Sequence, residues 1–180
     1  MIRLLVNRRS IRKYKTQKIE CEKVDKLLTA ALLAPSSRGR KPWKFLVVDD
    51  EDLLKQLSQA KEHGSLFIGQ APMVIVVIGD TVMSDMCVED CSIAATYIQL
   101  EAERLGLGSC WVQIRERLTK MGTSSEAYVK ELLSIPNHYM IEAILAIGYP
   151  DEEKAPHNLD ELDVHKVYYN KYKIMYPGHY

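Results

Sequence analysis

The side chains best suited to chemistry lie in a short basic segment near the amino terminus. Arg8, Arg9, Ser10 and Arg12 place three guanidinium groups and one hydroxyl within five residues. Guanidinium groups bind phosphate oxygens through paired, charge-assisted hydrogen bonds, and a hydroxyl can add another bond. The segment therefore predicts contact with an anionic ligand, although a solvated basic surface would have the same composition.

A second basic segment comes directly before the first predicted strand. Residues 34–43 read APSSRGRKPW, which combines small turn-forming residues, three cations and an aromatic side chain. Trp43 is interpreted as packing, because a tryptophan is more often part of the core than a ligand contact. Together with the first segment, the loop predicts an anionic ligand that contains an aromatic ring.

Positive charge is concentrated in this part of the chain. The formal net charge of the 180 residues is zero, but residues 1–44 contain 13 Lys and Arg against 3 Asp and Glu. Such a cluster favours an anionic partner: nucleic acid, a lipid surface or the phosphate of a small ligand. Nucleic acid is disfavoured because no recognition motif is present and the acidic remainder would repel a phosphate backbone. No apolar stretch of about 18 residues is found, so no membrane partner is expected.

The sequence offers no dedicated acid, base or nucleophile. It contains none of the hydrolase, Walker, metalloprotease or dinucleotide fingerprints, and its five histidines are scattered. Gly106 and Gly108 resemble part of a dinucleotide loop, but they follow a predicted helix, whereas that fingerprint follows a strand. If the protein is an enzyme, a cofactor is expected to carry the reaction.

The four cysteines give little sign of a disulfide or a metal site. They form no Cys-x-x-Cys pair, and no secretory signal is recognised. We therefore predict a reducing, cytoplasmic environment. Cys87 and Cys91 share one face of a predicted helix and could bind a soft metal, but buried core thiols are the preferred interpretation and no metal is predicted.

Apolar periodicity places these residues on the helices and strands of one domain that covers residues 1–180. Spacings of three and four residues predict helices, whereas short continuous apolar runs predict buried strands. The predicted helices cover 24–33, a segment capped by Asp50, 84–105, and a segment from the capping box of Thr123 and Glu126 to residue 134. The predicted strands cover 44–48, 73–78, 109–113 and 140–147.

The carboxyl-terminal segment differs from the rest of the domain. Residues 151–180 are rich in tyrosine but show little helical periodicity. Exposed aromatic side chains of this kind usually pack against another surface. Because the preceding helices and strands already supply a core, we predict that this segment docks on a partner subunit.

Several motifs, taken in order, resemble the nitroreductase family over essentially the whole chain. The matches are the family's Arg-x-Ser-x-Arg/Lys element at residues 8–12, its Pro-Ser-Ser loop and following Pro-Trp at 35–43, its helix and Gly-Leu-Gly-Ser-Cys-Trp at 90–111, and its Ile-Gly-Tyr-Pro at 147–150. A set of motifs in the right order is far more specific than any one of them.

The resemblance implies an α+β fold with a mixed, mainly antiparallel sheet wrapped by helices, in a domain-intertwined homodimer with FMN at two interface sites. Arg8 and Ser10, with Arg9 beside them, would hold the phosphate and ribityl end of FMN, and Arg12 would approach the pyrimidine edge. The further implied contacts are Pro35, Ser36 and Ser37 behind the ring from the other subunit, Cys110, Trp111, Val112 and Gln113 along the ring, and Lys154 or His157 at the phosphate.

Two residues depart from the family pattern. Gly39 and Lys41 stand where family members commonly have Asn and Gln before Pro-Trp. The usual amide contacts to the flavin therefore cannot be carried over to these positions. Lys41 would either add positive potential at the ring edge or point to solvent, so the departure bears on redox potential and substrate range more than on FMN binding.

The implied activity is a ping-pong reaction. NADH or NADPH would deliver hydride to FMN, and an electron-poor small molecule, such as a nitroaromatic or a quinone, would then take the electrons. A cation near flavin N1 and O2, the role expected of Arg12, would stabilise the resulting negative charge. The open alternatives are a specialised branch acting on one metabolite, for example by dehalogenation, a non-catalytic flavin-binding or flavin-storing dimer, and a module that has lost the flavin.

Overall fold

The computed structural model describes residues 1–178. His179 and Tyr180, the end of the predicted docking segment, lie outside the described residues. Five helices precede or separate the strands: α1 Ile2–Asn7, α2 Cys21–Leu32, α3 Glu51–Leu57, α4 Cys87–Arg104 and α5 Ser125–Leu132. The strands are β1 Trp43–Val48, β2 Met73–Asp80, β3 Gly108–Gln113 and β4 Tyr139–Gly148.

The four strands form one sheet in the order β1-β2-β4-β3, and each neighbouring pair is antiparallel. The only parallel contact that the described residues show is an isolated bridge between Ser10 and Ser109. The α+β class and the mainly antiparallel sheet are therefore confirmed. The dimer that the resemblance implies stays a prediction.

The two central strands are buried on both faces. Every residue of Met73–Gly79 and of Met140–Gly148 is buried, as the continuous apolar runs predict. One face packs against α2 and α4 through side chains such as Leu27, Ala31, Cys91 and Ile98. The other face packs against α3 and α5. Cys87 and Cys91 both belong to the first of these clusters, which confirms their interpretation as core thiols.

Two helix ends follow the predicted local chemistry. The Asp50 carboxylate accepts the backbone amides of Asp52 and Leu53, which satisfies donors that the first turn of α3 would otherwise leave free. Gly106 has a φ of 74°, the left-handed conformation that glycine adopts without strain after a helix.

Three predicted helix starts differ from the structure. Helix α2 begins at Cys21 and not at residue 24. Helix α4 begins at Cys87 and not at residue 84, because Ser84 lies in a turn where its hydroxyl accepts the Met86 amide. Helix α5 is capped by Ser124, whose hydroxyl accepts the Ala127 amide, one residue after the expected Thr123. The Thr123 hydroxyl instead bonds to that of Thr119.

Residues 151–178 run over the surface in short turns. They expose large apolar side chains, among them Leu159, Leu162, Tyr172 and Ile174, each at least half exposed. Docking of this segment on a partner subunit therefore stays a prediction. Among residues 1–178, no helix is both long enough and apolar enough to cross a membrane.

Candidate functional site

The predicted phosphate-binding segment lies along the outer edge of β3. Ser10 and Ser109 form a parallel bridge, and the Ile11 amide donates to the Ser109 carbonyl oxygen at 3.0 Å. The approach is close because residue 108 is glycine: a Cβ built at Gly108 would lie 2.7 Å from the Ile11 Cβ. The segment therefore takes its place from β3 and from the lack of a side chain at one position.

Residues 149–157, where the carboxyl-terminal segment starts, pack against residues 6–15. Three backbone hydrogen bonds join the two segments: Lys15 to Tyr149, Asp151 to Lys13 and His157 to Val6, each 2.9 Å long. The Arg9 guanidinium donates to the Ala155 carbonyl. His157 is thus brought to the site by its backbone, and Arg9 ties the two segments together.

Glu152 fixes the turn that carries Arg12. One carboxylate oxygen accepts the backbone amides of Arg12 at 2.5 Å and Lys13 at 3.2 Å, and these bonds hold the pKa of Glu152 below its usual range. The other oxygen lies 3.7 Å from the Lys154 ammonium. A cavity of about 210 Å³ opens here, and Arg9, Glu152 and Lys154 line it.

The charges of this region converge on one buried thiol. Burial raises the pKa of Cys110, while the positive charges of Arg12, Lys154 and Arg8 and a hydrogen bond from Ser10 act in the opposite direction. Arg9 and Lys154 line the cavity itself, and Arg8, Ser10 and Arg12 adjoin its lining residues Arg9 and Ile11 along the chain. The cations and the hydroxyl of this basic groove can neutralise a phosphate or another anionic group, and binding of a cofactor there stays a prediction.

Two further residues, which the sequence did not reveal, interact with Arg12 and with Cys110. The Arg12 guanidinium carbon lies 5.9 Å from the centre of the Phe67 ring, within range of a cation–π interaction. Burial and the charge of Arg117 lower the pKa of Lys61, and Cys110 acts on the same ammonium in the opposite direction. A lone lysine and a lone phenylalanine between predicted elements carry no recognisable signal.

Strand β3 presents its residues alternately to the core and to the edge. Val112 is 1% exposed and packs in the core, so its side chain is not available to a ligand. The Ser109 carbonyl points away from β4 to Ile11, whereas the Ile114 amide points towards β4 and donates to Glu142. Because backbone direction alternates along a strand, the outward groups of β3 belong to the odd-numbered residues, which include Trp111 and Gln113.

The Pro-Ser-Ser loop is fixed to the beginning of α4. The Ser37 amide donates to the buried Asp90 carboxylate at 2.8 Å, and the Ser36 hydroxyl accepts the Lys41 amide at 2.9 Å. Gly39 and Lys41 have φ values of 65° and 50°. A non-glycine residue in this left-handed region is uncommon, so the loop shape at Lys41 is imposed by its surroundings. Pro35 and Gly39 themselves are exposed.

The two predicted groups of residues lie at opposite ends of α4 within one chain. The loop contacts Asp90 near the start of the helix, while the charge of Arg8 acts on Glu103 near its end. Thirteen residues of helix separate Asp90 from Glu103, which is about 20 Å at 1.5 Å per residue. A single chain therefore forms the basic groove but keeps the 35–41 loop apart from it.

Comparison with known proteins shows the family to which this chain is similar. A family model described as the nitroreductase family matches residues 5–64 and 58–149. An Archaeoglobus fulgidus protein named for NADH dehydrogenase and NAD(P)H nitroreductase activity is 37% identical over 164 residues, which cover 89% of this chain and 91% of that protein. An iodotyrosine deiodinase of Thermotoga neapolitana is 26% identical over 185 residues, which cover 89% and 94%.

Solved structures agree with the sequence comparison. A structure described as an FMN-dependent nitroreductase from Clostridium difficile R20291 superposes with a TM-score of 0.94. It is 50% identical, and the match covers 96% of this chain and 100% of that chain. The matched regions include both basic segments and β3.

Proposed function

Because the chain belongs to the nitroreductase family, we propose that it is an FMN-dependent oxidoreductase that uses NADH or NADPH to reduce a small, electron-poor acceptor. The observation that carries this proposal is the cavity of about 210 Å³ that Arg9 and Lys154 line, beside the segment 8–12 where it lies along β3. Hydride transfer is chemistry that a flavin supplies, so the protein needs to bind, orient and neutralise rather than to provide a dedicated acid or base.

The donors of the groove fit FMN at both ends. Arg8, Ser10 and Lys154 would hold the phosphate, because two cations and a hydroxyl match its charge and its acceptor oxygens. Arg12 would lie at the pyrimidine edge, where a fixed cation stabilises negative charge that develops on the ring. Glu152 accepts the backbone amide of Arg12, and the Phe67 ring lies 5.9 Å from its guanidinium carbon, so backbone and side chain each have a protein contact in the absence of a ligand.

The outward backbone groups of β3 would supply the contacts along the ring. Trp111 and Gln113 are the residues whose backbone groups leave the sheet at this edge. Each of them is followed by a buried core residue, Val112 or Ile114, and this packing makes the edge rigid. A rigid edge would hold the nicotinamide donor and the acceptor in turn at a constant distance from the same ring.

A second copy of the chain would complete the site. The 35–41 loop lies about 20 Å along α4 from the groove, so antiparallel packing of two α4 helices would bring the loop of one subunit to the groove of the other. Met86, Ile93 and Tyr97 fit this arrangement, because they are spaced by seven and four residues and are each about two-fifths exposed. The exposed side chains of 151–178 would pack in the same dimer.

A reducing, cytoplasmic setting is part of the proposal. All four cysteines are free, and Cys21 is exposed. An exposed thiol persists where the surroundings keep it reduced.

Steady-state kinetics of the flavin-loaded protein test the proposed reaction. We expect oxidation of NADH or NADPH that depends on a nitroaromatic or quinone acceptor, with parallel double-reciprocal lines as the acceptor concentration is varied. Lines that intersect would contradict the ping-pong order. Absence of oxidation with every acceptor would contradict the proposal itself, and iodide release from an iodinated phenol as the only activity would select the specialised branch instead.

A further inference from the structure

One acidic side chain lies inside the apolar run of β4. Glu142 is 3% exposed and is flanked by Ile141 and Ala143, which are fully buried. Burial of a carboxylate is unfavourable unless the group is paired or hydrogen-bonded. The flanking sequence would accept an apolar residue, so the presence of an acid calls for a physical reason.

A β-bulge directs Glu142 away from the regular strand pattern. In the pairing of β2 with β4, Val77 faces Ala143 and the next residue, Ile78, faces Ile141, so Glu142 is the extra residue. Its carbonyl oxygen accepts two amides, those of Ile114 and Arg115, at 3.3 Å each. Bulges commonly re-aim a side chain beside a functional site.

The buried Glu142 carboxylate forms an ion pair with Arg115, two residues after the end of β3. Its Oε2 lies 3.2 Å from Nε of Arg115, but the two atoms lack the angle of a hydrogen bond. Burial raises the pKa of Glu142, while the positive charge of Arg115 and the Gln113 and Ser92 side chains act in the opposite direction. The carboxylate is thus paired with a residue that closely follows the end of β3.

Two hydrogen bonds continue from Arg115 to the outer edge of β3. The Trp111 indole donates to the Gln113 side-chain oxygen at 2.9 Å, and the Gln113 side-chain nitrogen donates to the Arg115 carbonyl oxygen at 3.2 Å. Trp111 and Gln113 are the residues whose backbone groups face the proposed flavin. Displacement of the Glu142 carboxylate would therefore shift Arg115 and, through it, the side chains of Gln113 and Trp111.

We infer that Glu142 is a positioning residue, whose buried carboxylate holds Arg115, the residue that anchors the Gln113 side chain, and thereby fixes the edge of β3 against which the flavin ring lies. This inference rests on the proposed function for the identity of the ring. A purely stabilising role fits poorly, because a buried ion pair typically adds little net stability compared with apolar packing. What the acid adds is a fixed orientation of neighbouring polar groups.

The test compares Glu142→Gln with Glu116→Gln. Glu116 contacts the same Arg115 at 2.8 Å but is 76% exposed, so it is a matched control. We expect Glu142→Gln to slow anaerobic reduction of the bound flavin by roughly tenfold or more, since small misplacements of reacting groups are costly, with little change in KM. Glu116→Gln should match the wild type.

A second readout does not require turnover. The protein has two tryptophans, Trp43 and Trp111, so its nitrogen–proton NMR spectrum should contain two indole signals. Glu142→Gln should shift the Trp111 signal in flavin-free and flavin-loaded protein, and Glu116→Gln should leave it in place. A wild-type reduction rate and an unmoved Trp111 signal in Glu142→Gln would overturn the inference, as would equal changes in both variants.

Gln113→Ala keeps the inference testable if Glu142→Gln does not fold. This variant leaves the carboxylate paired with Arg115 but removes the linked side chain, so it should slow flavin reduction to a similar extent; an unchanged rate would overturn the inference. If the wild-type flavin is not reduced by either nucleotide, the proposed function fails. The Trp111 signal then still decides, because a shift supports the positioning role and its absence contradicts it.

Discussion

Replacement of Gly108 by alanine should separate the phosphate-binding segment from β3. The new Cβ would lie 2.7 Å from the Ile11 Cβ and 2.8 Å from each of its γ carbons, whereas carbon atoms prefer about 3.5 to 4.0 Å. Relief needs a shift of about 1 Å, which would stretch the 3.0 Å bond from Ile11 to Ser109 beyond hydrogen-bond length. Overpacking of this kind costs roughly 1 to 3 kcal/mol.

The same shift should weaken FMN binding, because Ser10 and Arg12 flank Ile11. Loss of one charge-assisted bond costs roughly 1.5 to 3 kcal/mol, so we expect the Kd for FMN to rise by about tenfold to a hundredfold. Flavin fluorescence titration and urea unfolding measure the two effects. Gly69→Ala is the control, since its Cβ meets nothing closer than 3.5 Å. Wild-type FMN affinity in Gly108→Ala would refute the placement of the site.

Three further predictions follow from the same geometry. Arg8→Ala should raise the Kd for FMN by about tenfold to a hundredfold through loss of a charge-assisted bond, while Arg3→Ala, on the exposed face of α1, should not; equal effects of the two would contradict the phosphate assignment. If the proposed dimer packs through α4, replacement of Ile93 and Tyr97 by aspartate should give a monomer in light-scattering measurements and abolish FMN binding; a dimer that persists would argue against packing through α4. Because the pKa of Glu152 is lowered in the folded state, its stabilising contribution should be present above the unfolded pKa, about 4.3, and should be lost as pH falls through the folded value. Urea unfolding of wild type and Glu152→Gln should therefore converge on acidification, and a constant difference down to low pH would contradict this.

The parts of the fold set by local chemistry could be predicted from the sequence. The continuous run Met73–Ile78 can only be a covered strand or a buried helix, and its length selects the strand. Asp50 has the side chain and position of a helix cap, and Gly106 has the freedom that a helix end requires. The start of α4 was misplaced because the hydroxyl of Ser84 serves a turn as readily as a helix.

The parts set by tertiary packing could not be predicted in the same way. The sequence places the 35–41 loop and the 8–12 segment in one set of site residues, but their positions at opposite ends of α4 depend on how the loop packs on Asp90. Lys61 carries no local signal. Glu142 did carry one, since a single acid inside an apolar strand is itself unusual, but periodicity describes where a strand runs and not why one residue breaks its pattern.

The absorbance spectrum of the purified protein, recorded before and after anaerobic addition of NADH and of NADPH, tests the central claim most directly. We predict oxidised-flavin bands that bleach with at least one nucleotide, and release of FMN from the denatured protein. A colourless protein that takes up no added FMN would contradict the account. Bound flavin that neither nucleotide bleaches would contradict the proposed reaction and favour a storage role.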